Sequence, residues 1–421
     1  MKKIIAFALL AAGIFSATAA CAGDAAPKAV TFNDVTLKMT IAALSHQDDP
    51  ADNLIISPYN AATAMTLVAT GAAGNTKNEF AKALFGNDGD KMAANASAVS
   101  VANRLLADSA KDSVELLTAS GIWVNKNIAT LKDDYAASAR RDFGAEISPE
   151  DFNDTTVPAK INKWASDNTK GLVDNVIDSL DNNDAIVLSS SLYFKGLWTS
   201  KFNKSLTADG DFTADGAQKF KTPMMHQNFT DAGLLKYASG DDYEAIAMTY
   251  GPADKRAARL ILLRPKNAAE SAHDWLVKQP TDAAPAWLDA ASFAGVKGMV
   301  DLPHIDLKQK HDLIPVLEDM GIKDAFTGEA DFSPMADVKG PGLYISRVSH
   351  DVVFKTDEDG SEAAAVTTIT MRSLAMVQEP DPIHISFDRS FVFALQDVSS
   401  GSVLFIGVVN KPNAEMKAMT P

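Results

Sequence analysis

Glu358-Asp359-Gly360-Ser361-Glu362-Ala363-Ala364-Ala365-Val366-Thr367-Thr368-Ile369-Thr370 follows a strand-like run, Leu343 to Phe354, and meets no proline until Pro380. Gly360 admits a backbone turn that other residues resist. Three alanines favour a helix, while the β-branched tail favours an extended chain, so local propensity leaves both open. Read with period two, Ser361, Ala363, Ala365, Thr367, Ile369 and Met371 share one face; Glu362, Ala364, Val366, Thr368 and Thr370 share the other. The first face starts small and grows larger, so its leading end can slide between two strands already in place without a clash. On periodicity alone, an ordinary helix or strand remains the alternative.

Outward from this segment, the second half of the chain is rich in strand patterns. Ala185 to Phe194, Tyr243 to Tyr250 and Arg259 to Leu263 are expected strands, and Phe391 to Leu395 with Val403 to Val409 is an expected hairpin around Asp397 to Gly401. Helical patterns gather earlier. Ser57 is placed to cap a helix with Pro58 in its first turn, an apolar face at Ala61, Ala64, Met65 and Val68, and a stop at Gly71. Thr76 to Glu79 has capping-box spacing. Ala98, Val101, Ala102 and Leu105 mark another helix, and Ile161, Trp164 and Ala165 a later one. Helices early and strands late imply an α+β fold. After a short linker, Asp24 to Val30, the chain shows no low-complexity block, long Gly/Ser/Pro tract or repeat, which favours one large domain over a string of modules.

The 421 residues carry 39 Lys and Arg against 54 Asp and Glu, a formal charge of −15. Such a surface repels phosphate backbones and speaks against nucleic acid as a partner. The N-terminus begins Met1-Lys2-Lys3, continues apolar from Ile4 to Phe15 and ends in small residues, Ser16 to Ala20. That is the pattern of an export signal over residues 1–20, too short for a membrane span, so a secreted or periplasmic protein without a transmembrane segment is expected. Its removal leaves 37 basic residues against 54 acidic ones, a charge of −17. Cys21, the only cysteine, follows directly. It is a candidate lipid-accepting residue of a bacterial lipoprotein, but Thr18-Ala19-Ala20 lacks a large aliphatic residue, which favours simple cleavage and release. A single cysteine excludes an intrachain disulfide and a multi-cysteine metal cluster.

Catalytic patterns do not emerge. His46, His226, His273, His304, His311, His350 and His384 form no His-Glu-x-x-His, and there is no Gly-x-Ser-x-Gly elbow, P-loop or dinucleotide turn. Scattered Ser, His and Asp can still meet in space, but a non-enzyme is expected, with a structural role for His350.

Taken together, these stretches resemble the serpins. Glu358 to Thr367 is similar to the family's hinge at the base of its reactive-centre loop, which here spans about 358–382. Asn53-Leu54-Ile55-Ile56-Ser57-Pro58, Gly71 to Thr76, Leu192-Tyr193-Phe194-Lys195-Gly196-Leu197-Trp198, Pro223-Met224-Met225, Asp301-Leu302-Pro303, the stretch from Asp312-Leu313 to Gly321-Ile322, and Phe405 to Pro412 follow in the family's order. The resemblance covers roughly residues 30 to 412. It implies a single domain over 30–415, with three β-sheets, eight or nine helices and an exposed loop. It places Trp198 at the breach where the loop enters, and Ser57, Ser190 and His350 at the shutter beneath the main sheet. Two departures stand out: Ser190 where the family usually has asparagine, and Ser390 where a proline is common.

The resemblance further implies a metastable, bacterial, inhibitory-type protein. A serine protease attacks the loop, the segment from Ser361 inserts into the main sheet, and the acylated protease is trapped in a covalent 1:1 complex. Gly360 is the pivot. Ser361, Ala363 and Ala365 must become buried, and none is charged; Glu362, Ala364, Val366 and Thr367 complete the hinge. Family spacing sets the scissile bond at Leu374-Ala375, suited to chymotrypsin-, elastase- or subtilisin-like proteases. Arg372, suited to a trypsin-like protease, and Met376 are competing baits, and Pro380-Asp381-Pro382 lengthens the loop. The alternatives are a non-inhibitory serpin with a binding or structural role, or an inhibitor of trypsin-like or cysteine proteases. The mechanism requires no cofactor or metal and implies a monomer; the acidic balance speaks against activation by heparin.

Overall fold

The computed structural model describes residues 30–215, 218–340, 342–360, 382–413 and 417–418. Eight α-helices among them surround three large sheets and a two-stranded ladder, Ala129–Leu131 with Ala336–Val338. The fold is mixed α+β.

The main sheet runs Ile305–Asp312, Ile345–Thr356, Ile186–Lys195, Glu115–Asn125, Glu146–Glu150. Its first and third neighbouring pairs are antiparallel; Ile345–Thr356 with Ile186–Lys195, and Glu115–Asn125 with Glu146–Glu150, are parallel. Ile186–Lys195 is buried along its length except at Lys195, as expected of a strand covered on both faces. A seven-stranded sheet, from Leu54–Ile56 through Val403–Val409, Phe391–Asp397, Ala258–Pro265, Tyr243–Tyr250 and Leu235–Ser239 to Ala294–Val296, carries the expected hairpin. The third sheet orders Ile383–Ser386, Gly298–Pro303, Lys219–Phe229 and Lys417–Ala418, and Ala208–Thr213 also pairs with Lys219–Phe229.

The expected strands all form, Tyr243–Tyr250 with its expected bounds and the others extended or shifted by one or two residues: Ile186–Lys195, Ala258–Pro265, Ile345–Thr356. The helices differ more. Pro58–Ala69 is capped by Ser57, whose Oγ accepts from Asn60 N at 3.3 Å. It has no polar face, because all twelve of its residues are buried. It packs into the main core, where Phe354 of the main sheet stacks on Phe393 of the seven-stranded sheet at 5.0 Å. The helix Gly74–Phe85 starts before the expected capping box and has no side-chain cap. Thr76 and Glu79 serve other chain segments instead: Thr76 Oγ1 accepts from Asp331 N, and the Glu79 carboxylate accepts from Lys323 N and Asp324 N. In Met92–Ala110 the buried face is Val99, Ala102 and Leu106, whereas Leu105 is half exposed. A second, smaller core joins the outer face of the main sheet to the helix Val157–Asn168, through Trp123, Val187 and Val353 against Val157, Ile161 and Ala165.

Ser390, the second of the two departures, is satisfied as serine. Its N–H donates to Thr213 O at 3.1 Å, its hydroxyl accepts from Ala272 N at 3.0 Å and donates to Asp215 Oδ1. A proline has no N–H to donate and would leave the Ala272 amide unpartnered. Ser390→Pro should therefore destabilise the folded protein by about 2–3 kcal/mol, read as a lowered urea midpoint at unchanged slope.

Candidate functional site

The parallel ladder between Ile345–Thr356 and Ile186–Lys195 ends at Val353 opposite Tyr193, although both strands run further. Just past Thr356 the chain reverses. Asp357 N donates to Gly360 O at 2.7 Å and Gly360 N to Asp357 O at 3.2 Å. Gly360 has φ of 131°, and a Cβ there would lie 2.2 Å from Gly196 O and 2.7 Å from Trp198 N. Only glycine fits both constraints. Gly360 bridges Leu197 in antiparallel sense, Trp198 N donates to Asp359 O at 3.0 Å, and Phe202 N donates to Glu358 O at 2.9 Å. The returning chain is thus paired in antiparallel sense, at Gly360, with the residues that follow Ile186–Lys195.

Side chains fasten this turn. Trp198 stacks on Tyr250 at 4.1 Å and donates from Nε1 to Asp357 O at 2.8 Å. Glu358 Oε1 accepts from Thr207 Oγ1 at 2.5 Å and meets His304 Nε2 at 2.9 Å. Burial pushes the Glu358 carboxyl up, but these hydrogen bonds outweigh it and leave it below the usual range. Asp359 pairs with Lys204 and, at 3.0 Å, with Lys201. The hydrogen bond from Lys204 outweighs burial and, with Lys201, holds the carboxyl low.

Deeper in the ladder, Ser57, Ser190 and His350 come together. Ser57 N donates to His350 Nε2 at 2.9 Å, so Nε2 carries no proton. Nδ1 must then hold it and donate to Ser190 Oγ at 2.8 Å. One neutral imidazole joins the cap of Pro58–Ala69 to both strands of the parallel pair. Burial, helped by His311, pushes its pKa down to about 3, which keeps it neutral. His311 sits opposite His350 in the antiparallel ladder and meets Ile55 O at 2.8 Å through Nε2.

The other face of the same pair is polar in a different way. Ser189, Ser191, Ser349 and Asp351 share this face with Val187 and Val353, which pack with the helix Val157–Asn168. The hydroxyls of Ser189 and Ser191 are buried without a hydrogen-bond partner. Asp351 accepts from Ser349 Oγ at 2.7 Å, and burial raises its pKa to about 6 despite attraction from Lys310 and Lys308.

The profile of one protein family, described as Serpin (serine protease inhibitor), matches residues 32–412. The chain is similar to Serpin-ZXA of rice (Oryza sativa subsp. japonica), 30% identical over 388 residues covering 88% of this chain and 94% of that one. It is also similar to Serpin-Z7 of barley (Hordeum vulgare), 31% identical over 393 residues, 89% of this chain and 94% of that one. Among solved structures, the thermophilic serpin Tengpin in its native state superposes with a TM-score of 0.78 at 22% identity, covering 90% of this chain and 94% of that one. The chain belongs to the serpin family. Serpins are generally protease inhibitors, not enzymes, and form complexes with target proteases. The architecture is the serpin fold.

Of the residues singled out in the sequence, the structure brings together Glu358, Gly360 and Trp198 at one end of the parallel pair, and Ser57, Ser190 and His350 in its middle. The hinge residues Ser361, Glu362, Ala363, Ala364, Ala365, Val366 and Thr367, the bond Leu374-Ala375, the alternative baits Arg372 and Met376, and Cys21 with residues 1–20 lie outside the described residues. Among the described residues no helix is long and apolar enough to cross a membrane, and no group of three or more His, Cys, Asp or Glu side chains is placed to hold a metal ion. Sequence reasoning missed Thr207 and His304 on Glu358, Lys201 and Lys204 on Asp359, Tyr250 beneath Trp198, and the buried Asp351. Each contact except the Asp351 hydrogen bond spans a long stretch of sequence, so no local pattern announces it.

Asp351 gives a pH dependence with a definite sign. Its folded pKa, about 6, lies above the 3.8 of the free side chain. The folded state therefore binds the proton more tightly, and this group's contribution to stability falls as pH rises from about 4 to 6. His350 acts oppositely, since its depressed pKa costs stability as pH falls through 6.5 towards 3. A difference between Asp351→Asn and the parent isolates the carboxyl. The substitution should stabilise the native form on the order of 2–3 kcal/mol at pH 7.5. The gain should shrink towards zero near pH 4, as followed by thermal unfolding across that range.

Proposed function

We propose that this serpin is a suicide-type inhibitor of serine endopeptidases with chymotrypsin-, elastase- or subtilisin-like specificity. The supporting observation is the Gly360–Leu197 bridge at the open end of the parallel pair. Continuing that antiparallel register sets Ala363 opposite Phe194, Ala365 opposite Leu192, Thr367 opposite Ser190 and Ile369 opposite Leu188. Phe194, Leu192 and Leu188 belong to the main core. The small-to-large face of the segment would thus be the one turned into the core, and Thr367 would arrive beside Ser190 and His350. On the outer face, Thr368 falls opposite Ser189 and Val366 opposite Ser191, so a hydroxyl reaches one of the two serines that lack a partner.

The segment is tethered at its far end by Ile383–Ser386, which pairs in parallel with Gly298–Pro303. Cutting releases that tether. The protease serine Oγ bonds to the Leu374 carbonyl carbon, the Leu374-Ala375 peptide bond breaks, and the proton goes to the new amine of Ala375. Insertion from Ser361 then carries the acyl-enzyme away before water cleaves the ester. In this reading Glu358, Gly360 and Trp198 work at the breach, Ser57, Ser190 and His350 at the shutter, and Ser361 to Thr367 form the entering hinge. The inhibitor acts as a monomer in a 1:1 covalent complex, and the leader at 1–20 directs it out of the cytoplasm.

Mixed with chymotrypsin, the purified protein should give an adduct that survives a denaturing gel, and sequencing of the released fragment should begin at Ala375. The cleaved protein should melt at least about 10 °C above the intact one. Ala365→Arg should be cut at the same bond without adduct, because burying an unpaired guanidinium halts entry. Complete cleavage of the parent without adduct, or a cleaved form no more heat-resistant than the intact one, would sink the inhibitor reading.

A further inference from the structure

The family profile ends at Pro412, yet the chain beyond it is built into the fold next to the hinge. Asn413 is buried, and its Nδ2 donates to Thr222 Oγ1 at 2.9 Å and to His304 O at 2.8 Å. Both hydrogens of the amide are thereby used. Just before it, Pro412 O accepts from Asp306 N at 2.7 Å. Further on, Lys417 and Ala418 pair in antiparallel register with Lys221 and Phe220, on the strand that carries Thr222.

His304 is thus held from several sides. Its backbone N–H donates to Pro223 O at 3.0 Å and its carbonyl accepts from Asn413. Its ring meets Glu358 Oε1, and the Glu358 carbonyl in turn accepts from Phe202 N at 2.9 Å. A short chain of hydrogen bonds leads from the C-terminal segment to the turn before Ser361.

We propose that Asn413, with the added strand Lys417–Ala418, acts as a strap that positions His304 and through it Glu358, and so sets how readily the hinge turn opens. Asn413 is a positioning residue in this scheme. Its effect on inhibition rests on the function proposed above; its effect on the hinge turn does not.

The test compares amide hydrogen exchange in the full-length mature protein, in Asn413→Asp, which keeps the volume but removes both donors, and in a chain ending at Met416, which keeps Asn413 and loses the added strand. Peptides containing Trp198 and Phe202, whose amides donate to Asp359 and Glu358, should exchange about five- to tenfold faster in both variants. Ile261 and Leu263, in the seven-stranded sheet, should not change. Adding Asn413→Asp to His304→Ala should give no further local increase, because both act along one path. Unchanged exchange at Trp198 and Phe202 overturns the strap, as does an increase spread evenly over all sheets, which would mark a purely structural role. If the local increase appears but the parent protein forms no adduct with chymotrypsin, the strap stands and the inhibitor reading falls.

Discussion

The function proposed for this molecule depends on one ladder, the parallel pairing of Ile345–Thr356 with Ile186–Lys195. Parallel pairs are slightly less stable per residue than antiparallel ones. A strand antiparallel to both, inserted between them, replaces one parallel ladder by two antiparallel ones. For a segment of about ten residues the net gain is on the order of ten hydrogen bonds, each worth about 1 kcal/mol. Both faces of the pair are covered by packed cores. The inner face is the large cluster around Phe354 and Phe393, and the outer face is the small cluster under Val157–Asn168.

The middle of the ladder is the place where polar groups collect. His350 and Asp351 are neighbours on one strand and point to opposite faces. The first is fully used, bridging Ser57 and Ser190 as a neutral ring. The second is a buried carboxyl with a raised pKa beside two hydroxyls that lack partners. A polar layer inside a core holds a unique pairing when its members are satisfied and costs stability where they are not. The inner layer therefore defines the closed register, while the outer layer weakens it. Both effects fall on the same few residues, the ones that the proposed insertion would separate.

Much of the fold was legible because strands and turns are local. The strand Tyr243–Tyr250, the hairpin at Phe391 to Val409 and the cap at Ser57 all follow from short-range chemistry. Burial was less legible. Pro58–Ala69 carries Thr, Asn and Tyr along with its alanines and still has no exposed face, because it lies inside the main core. The capping-box spacing of Thr76 and Glu79 misled for a related reason: their acceptors were claimed by amides some 250 residues away, with which local capping had to compete. At the site, Gly360 and Trp198 could be singled out by their resemblance to a known hinge. The lysines on Asp359 and the His304–Glu358 contact could not, since they exist only once three separate segments have met.

The strength of those contacts also says what they can and cannot do. Lys204, exposed, and Lys201, partly exposed, form ion pairs with Asp359, and solvent screening keeps the contribution of such pairs small. Even with the bonds on Glu358 they fall well short of what two new ladders return. In the proposed mechanism, hinge contacts of that size would set the rate at which the turn opens but would not hold the segment out of the sheet at equilibrium. A tether can. Ile383–Ser386 is anchored in a different sheet from the one that receives the segment, so while the chain is whole its two ends are fixed in different places. In the proposed mechanism the restraint that keeps the segment out of the sheet is then the continuity of the backbone itself, and a peptide-bond cut is the change that removes it.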